Sequence, residues 1–359
     1  GDFYYAPPSG YLALCTANLP DPAIALPSAH FNTVLYTGTG ATPQTVTGVG
    51  FQPDFVWIKN RPTGATNYVM YDAVRGTNKT VASSTTNAES SDDTAGFSAF
   101  TSDGFTLRSL TTAQGTQNTL NQAHVAWNWK ANGSGSTDTS GDIDAVVSAN
   151  QTAGFSIVTW TANGSNTATI PHGLGVTPEI IFYKARSASG NWNTWTTAID
   201  GSNDSLLLNT TGAKSDNSGI YGNLTSSVFP NWGLGNGTTQ VAYAFASKPG
   251  FSKMGSYTGN GNASGPMVNT GFKPAWVMVK RTDVAKDWII LDVKRDIDNV
   301  ANHRLFPNLA DAEATAQLPM DISSNGFKLR ISDSNYNANA GTYLYMAFAE
   351  SPFKTANAR

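Results

Sequence analysis

Charge is the scarcest ingredient of this sequence. Asp, Glu, Lys and Arg make up 13 % of its 359 residues, against ~25 % in ordinary soluble domains. Lys and Arg total 22 and Asp and Glu 25, so the net charge is −3 and nothing steers nucleic acid toward it. There is one cysteine, Cys15, which excludes an internal disulfide framework and a cysteine-based zinc site. It reads as a small apolar strand residue. No run approaches the ~20 apolar residues of a membrane-crossing helix, and no charged-then-apolar leader is present. The four histidines, His30, His124, His172 and His303, share no register, so no His–carboxylate–nucleophile set can be assembled. Phosphate loops, dinucleotide glycine signatures and metal motifs are missing. These gaps leave no expected catalytic residue, metal or cofactor, no nucleic-acid partner and no membrane insertion.

Asparagine, threonine, serine and glycine fill the space that charge vacates, while 40 % of residues are hydrophobic and 11 % aromatic. That is the composition of a β-rich extracellular or virion-surface protein. One phrase also occurs three times: Gly50–Phe51–Gln52–Pro53–Asp54–Phe55–Val56–Trp57–Ile58–Lys59, Gly173–Leu174–Gly175 running through Pro178 to Glu179–Ile180–Ile181–Phe182–Tyr183–Lys184, and Gly271–Phe272–Lys273–Pro274–Ala275–Trp276–Val277–Met278–Val279–Lys280. A proline before an apolar run suits the first residue of a strand, and the terminal lysine is expected to mark the strand's exit to solvent. Each phrase follows an aromatic strand ending in a small-residue turn (Tyr36–Thr37–Gly38, Trp160–Thr161–Ala162, Tyr257–Thr258–Gly259). Each repeat closes on alternating aromatics (Trp127 and Trp129, Tyr243 and Phe245, Tyr345 with Phe348 beyond). The first and third copies also share Asp72…Arg75 with Asp292…Arg295, and Ser102–Asp103–Gly104–Phe105 with Ser324–Asn325–Gly326–Phe327. The second copy lacks both and has diverged most.

Repetition at this spacing predicts three units of about 100 residues, each large enough for a core. Short strands with close turn signals make them all-β: three tandem antiparallel β-sandwich, jelly-roll-like repeats, with one buried face per strand, behind an N-terminal strand and linker. Residues 1–31 read as the end of a preceding domain plus a Pro-rich linker, with further sequence expected upstream. Repeat one covers 32–131, with residues 79–95 a long exposed loop. Residues 132–153 form a Gly/Ser/Thr linker by composition, in which Asp138, Asp142 and Asp144 lack EF-hand spacing. Repeat two covers 154–248, with a possible strand at 219–224, repeat three 249–353, and 354–359 is a tail. Residues 308–314 are the one helix-favouring stretch. A linear string and a pseudo-threefold arrangement both fit.

Two kinds of residue stand out. Asp72 with Asp103, or Asp287 with Asp292, would supply the two carboxyls of a glycoside hydrolase. The competing reading is that Asp72 and Asp292 each hold the arginine three residues on. Trp192, Trp195 and Trp232 lie among asparagines; Trp192, like Trp288, also lies eight residues after the phrase's lysine and on that spacing reads as core, whereas Trp195 and Trp232 have no counterpart in the other copies. A tryptophan beside amides suits stacking on a sugar ring, against the alternative of packing under a loop.

The segments Gly255–Ser256–Tyr257–Thr258–Gly259–Asn260–Gly261, Thr270 through Asp283, Ser324–Asn325–Gly326–Phe327–Lys328–Leu329–Arg330 and Tyr345 through Phe353 resemble an uncharacterised domain of tailed-phage structural proteins, notably of phages of marine bacteria and cyanobacteria. The resemblance spans nearly all of 32–353. The opening from Gly1 to Pro20 resembles the end of the SPRY, concanavalin-like sandwich that often precedes such repeats. The resemblance implies a virion protein without enzymatic activity: a tail fibre, tailspike or head appendage at the particle surface. Its partners would be other virion proteins and host-surface polysaccharide bound in lectin-like fashion. The alternatives are a capsid decoration or fibre shaft with structural contacts only, and a polysaccharide depolymerase. Analogy to phage fibres implies a homotrimer, although internal repeats would also supply a threefold within one chain.

Overall fold

A computed structural model of the chain describes residues 19, 21–91, 96–108, 116–217, 224–232 and 234–356. The expected strands at 1–18 lie outside the described residues, as does nearly all of 219–224. The chain is all-β, with several antiparallel sheets and only isolated turns of 3-10 helix among the described residues. A first segment holds β1 (Phe31–Thr37), β2 (Gln44–Val46), β3 (Phe55–Asn60), β4 (Val69–Asp72), β5 (Lys79–Ala82), β6 (Ser90–Ser91), β7 (Phe97–Thr101), β8 (Gly104–Leu107) and β9 (Ala123–Trp129). A second holds β10 (Ser136–Asp138), β11 (Ala145–Asn150), β12 (Phe155–Thr161), β13 (Thr169–Pro171), β14 (Ile180–Ala185), β15 (Asn193–Thr196), β16 (Asp204–Leu207), β17 (Ser215–Asp216), β18 (Val228–Pro230) and β19 (Thr239–Phe245). A third holds β20 (Ser252–Thr258), β21 (Met267–Asn269), β22 (Phe272–Arg281), β23 (Trp288–Asp292), β24 (Met320–Ser323), β25 (Gly326–Leu329) and β26 (Thr342–Pro352).

Each segment has one large sheet. Their orders are β1-β9-β3-β4-β5-β6, β10-β11-β12-β19-β14-β15-β16-β17 and β20-β26-β22-β23. The same antiparallel order, first strand, last strand, lysine strand, next strand, recurs in all three. The registers match as well: Phe55 lies opposite Trp129, Ile180 opposite Phe245 and Trp276 opposite Phe348. Over each large sheet lies a small one: β2-β8-β7, β13-β18 and β21-β25-β24 among the described residues. In the β7–β8 and β24–β25 hairpins, Gly104 and Gly326 follow two-residue turns with φ of +154° and +151°. A Cβ on either would sit 2.0 Å from the carbonyl oxygen of Val46 or Val268. The repeated Gly–Phe motif therefore reflects a backbone that only glycine can adopt at such close approach.

The large sheets are buried on both faces, not one. β9 and β19 are buried along almost their whole length, which is why their sequences read as continuous apolar runs. One face of each sheet packs against its own small sheet: Val56, Ile58 and Tyr71 against Phe97 and Phe105, Ile181 and Ala242 against Ile170 and Phe229, Val277 and Leu291 against Met320 and Phe327. The opposite faces of all three sheets meet in a single aromatic core containing Phe55, Trp57, Trp127, Trp129, Phe182, Tyr243, Phe245, Trp276, Met346 and Phe348. Trp129 of the first sheet is edge-on to Trp276 at 5.9 Å and to Phe245 at 6.3 Å, so it touches both other sheets. Instead of self-contained units on a string, the segments close around one interior.

Three expectations change. Residues 79–95 carry β5 and β6, which extend the first sheet. The composition-based linker 132–153 carries β10 and β11, whose Ala145 and Val147 join the second segment's core. Residues 308–314 form no helix, because their backbone is claimed elsewhere: Glu313 N–H donates to Arg61 O at 2.8 Å and Ala314 pairs with Arg304.

Candidate functional site

The lysines that close the repeated phrase do not exit to solvent. Lys59, Lys184 and Lys280 are fully buried, opposite Val125, Val241 and Leu344 on the last strand of each segment. Each caps loop carbonyls of its own segment and one from a neighbouring segment. Lys59 Nζ donates to Thr66 O at 2.6 Å and to Ala310 O of the third segment at 3.2 Å. Lys184 donates to Gly190 O and to Thr86 O of the first at 2.9 Å. Lys280 donates to Lys286 O at 2.7 Å and to Thr211 O of the second at 3.0 Å. Burial lowers all three ammonium groups to about 8, since desolvation disfavours the charged form. The residues at or just before the start of the next strand follow the same cycle. Trp192 Nε1 donates to Ala82 O at 2.8 Å, Trp288 Nε1 to Leu207 O at 3.0 Å, and Tyr68 Oη accepts from Phe306 N at 2.7 Å. Trp192, expected as a sugar platform, is thus wholly buried and bonded across an interface, in the manner of its counterpart Trp288.

The aspartate–arginine pairs lie in the same belt. Asp72 holds Arg75, and Asp292 Oδ2 accepts from Arg295 Nε at 2.7 Å, all four side chains without exposure. Each aspartate also receives a donor from the next segment: Tyr243 Oη on Asp72 at 2.7 Å, Trp127 Nε1 on Asp292 at 2.9 Å. Each arginine reaches a glutamate that pairs in turn with a second arginine, Arg75–Glu89–Arg186 and Arg295–Glu313–Arg61. Burial works against the charge on Glu89 and Glu313, but the arginine bonds outweigh it and hold both below the usual carboxylate range. Where the second and third segments meet, the matching positions by register are Thr196, Ile199, Lys214, Thr282 and Met346. There Lys214 turns back to Asp200 at 2.7 Å and Asp204 at 2.9 Å.

A cavity of about 260 Å³ opens on the outer side of the second segment. Its lining includes Tyr183, Asn193, Trp195, Ser205, Ser215, Asn217 and Trp232. β15 presents Trp195 on the face opposite the shared core, because side chains alternate along a strand. The cavity brings together Trp195 and Trp232; Trp195 has counterparts after all, since by register its position is that of Tyr71 in the first segment and Leu291 in the third. Neither is an open platform: Trp195 is 3 % exposed and Trp232 6 %. Trp232, at φ +48°, lies parallel to Tyr183 at 4.4 Å and to Phe229 at 5.1 Å. Its ring faces are largely spent on those neighbours, and a ligand would meet its edge. Tyr183, Ser205, Ser215 and Asn217 complete the wall and were not singled out from the sequence. Their only signal there is alternation along β14, β16 and β17, which identifies the face but not that it is hollow.

The model of a family described as "Domain of unknown function (DUF7483)" matches residues 26–352. The chain belongs to the DUF7483 family. No curated protein and no solved structure matches it. The match runs across all three segments, so the DUF7483 unit is the closed body and not one of its sheets. In this DUF7483 chain the carboxylates considered for hydrolysis are committed elsewhere. Asp72 and Asp292 hold buried arginines. Asp103 accepts from Gly48 N at 3.0 Å and Gly50 N at 2.6 Å, and Asp287 from Asn308 Nδ2 at 2.7 Å. The histidines are locally bonded. His124, stacked on Tyr36 at 4.9 Å, is bonded to Thr116 O and Gln122 O, and His303 Nδ1 to Asp296 at 2.6 Å.

Proposed function

We propose that the chain is one β-sandwich unit copied three times and closed into a pseudo-threefold body. Matched strand order, matched register and the cyclic lysine and tryptophan bonds support this. The units run over 32–131, 154–248 and 249–353, with β10 and β11 added to the second. On this reading the threefold is supplied within one chain. The aromatic faces that a homotrimer would bury already bury one another, and the isolated chain is a monomer.

The body is a non-enzymatic virion structural protein, a component of a tail fibre, tailspike or head appendage, exposed at the particle surface and bound to other virion proteins. Its attachment function lies in the second unit, which binds host-surface glycan. The observation that carries this is the cavity holding Trp195 and Trp232: by register Trp195 stands where the other two units have Tyr71 and Leu291, and side chains peculiar to one copy are free to recognise something. The commitment of Asp72, Asp103, Asp287 and Asp292 to internal bonds weighs against a depolymerase, which needs two carboxyls facing one groove. The test is a glycan array and a host-cell binding assay with purified protein and with Trp195→Phe. Binding that weakens in the variant supports the reading. No binding by either protein, with the chain located away from the particle surface, would refute it and favour the purely structural alternative.

A further inference from the structure

We infer that the cavity of the second unit takes an uncharged sugar residue and rejects acidic ones. This rests on the attachment reading above and adds the chemical class of the ligand. Every described side chain lining the cavity is neutral. The polar ones are amides and hydroxyls, Asn193, Asn217, Ser205, Ser215 and Tyr183, with Trp195 and Trp232 between them. Amides and hydroxyls both donate and accept, which matches sugar hydroxyls in either role. The sequence also carries no Asp, Glu, Lys, Arg or His from Asn217 to Ser247, the stretch that supplies the lining residues Asn217 and Trp232. Lys214, which stands between the lining residues Ala213 and Ser215, is paired with Asp200 and Asp204.

A sugar carboxylate entering such a site would lose water and gain no counter-charge, which is costly. A neutral ring exchanges its hydroxyl bonds with water for bonds with the wall. A cavity of about 260 Å³ lies just below the ~300–1,000 Å³ range of drug-sized ligand sites. It therefore suits a single ring, such as a terminal or branching residue of a polysaccharide.

The experiment is calorimetric titration of the full chain with methyl glycosides of glucose, galactose, mannose and N-acetylglucosamine, and with glucuronic and N-acetylneuraminic acids. Wild type, Trp195→Phe and Ser215→Arg are compared after thermal melts confirm that each variant folds. Ser215 lies on the exposed edge strand β17, where an arginine has room. The expected result is binding of at least one neutral glycoside and binding at least about tenfold weaker, a difference of 1.4 kcal/mol, for both acids. Trp195→Phe should weaken the neutral ligand, and Ser215→Arg should narrow or reverse the discrimination. Acidic sugars that bind as tightly as neutral ones, and lose affinity in Trp195→Phe, would overturn the neutral class while leaving the attachment reading intact. Neutral binding indifferent to both variants would overturn this site. Failure of all six sugars to bind would overturn this inference and leave the attachment reading to be decided by the glycan array and the host-cell assay.

Discussion

The three buried lysines make a prediction in which sign and size both follow from their surroundings. Each is fully buried and titrates at about 8 in the folded chain, against ~10.4 when solvated. Between those values the unfolded chain binds more protons than the folded one, so stability must rise with pH. Below pH 8 both states are protonated and the desolvation cost is constant; above about 10.4 neither is protonated and the cost has vanished. From pH 7.5 to 9.5 each lysine should contribute a gain of roughly 2 kcal/mol by the linkage relation. The window closes near pH 10, where the phenols of Tyr68, Tyr243 and Tyr257, held high by burial, begin to oppose the trend. The perturbation is Lys280→Met, which keeps length and apolar character but cannot titrate. Removing the ammonium strands the carbonyls of Thr211, Arg281 and Lys286, so the variant should be less stable at every pH. The informative quantity is the slope. Urea denaturation at pH 7.5 and 9.5 should show the wild-type gain exceeding that of Lys280→Met by roughly 2 kcal/mol. Equal gains in the two proteins would mean that Lys280 is not desolvated as described, and the account of the belt would fail.

Two further substitutions probe separate devices. Tyr243→Phe removes the hydroxyl that donates to Asp72 and accepts from Arg75. The cost should be about 1.5–3 kcal/mol, as for a hydrogen bond to a charged group. Met346→Leu, at the matching place in the third segment, should cost under about 1.5 kcal/mol; a smaller loss for Tyr243→Phe would argue against the bond. Gly326→Ala places a methyl on the Val268 carbonyl at a φ that L-residues avoid, and should lower stability by about 1–3 kcal/mol. An unchanged melting temperature would show that the hairpin relaxes freely.

The repeated phrase made most of the fold legible. A proline, an apolar run and a lysine located β3, β14 and β22 within a few residues, and the alternating aromatics located β9, β19 and β26. Burial on both faces was signalled by the unbroken apolar run of β3, but the aromatics on alternate positions of the closing strands were read as a single buried face. That reading left no face over for a core shared between the segments. The lysines were misread because lysine is almost never fully buried unless paired, and here the partners are carbonyls of another segment. Composition misjudged 132–153: polar residues in β10 and the small residues of β11 suit an edge strand laid over a core as well as they suit a linker. The Asp/Arg pairs were legible because the partners are three residues apart; Glu89 and Glu313, which complete them, come from loops whose placement depends on the neighbouring segment. Of the three tryptophans, Trp195 stood out because the other copies have no tryptophan there, but its position is a shared one, held by Tyr71 and Leu291. Trp192 was legible as core from its spacing of eight residues to Lys184, which Trp288 shares with Lys280; its asparagine neighbours pointed instead to a sugar platform, which its burial rules out.

The differences among the three interfaces are coordinated, and that is the strongest sign that the belt acts as a unit. Where an aspartate and arginine occur, the facing strand supplies a donor, Tyr243 or Trp127. Where they are replaced by Thr196 and Ile199, the matching position on the facing strand is Met346, which has nothing to donate. Where a glutamate occurs, an arginine faces it; where it becomes Lys214, the facing residue is Thr282. Each of these three positions also bonds across its interface by its backbone: Glu89 N to Arg186 O, Glu313 N to Arg61 O and Lys214 N to Thr282 O, all at 2.8 Å. The equivalence permits a comparison within one molecule. Glu89 and Glu313 have folded-state values below their unfolded ones, so their contribution is present above the ordinary carboxylate range and is lost as pH falls through the depressed values. Among the described residues, the second–third interface has Lys214 and not a carboxylate at that position. Acid should therefore loosen two interfaces before the third. Hydrogen exchange between pH 5 and 3, corrected for intrinsic rates, should show the amides of Glu89 and Glu313 losing protection while that of Lys214 keeps it. Were the Lys214 amide to open first, or all three together, the ion pairs would not be what holds those two interfaces shut.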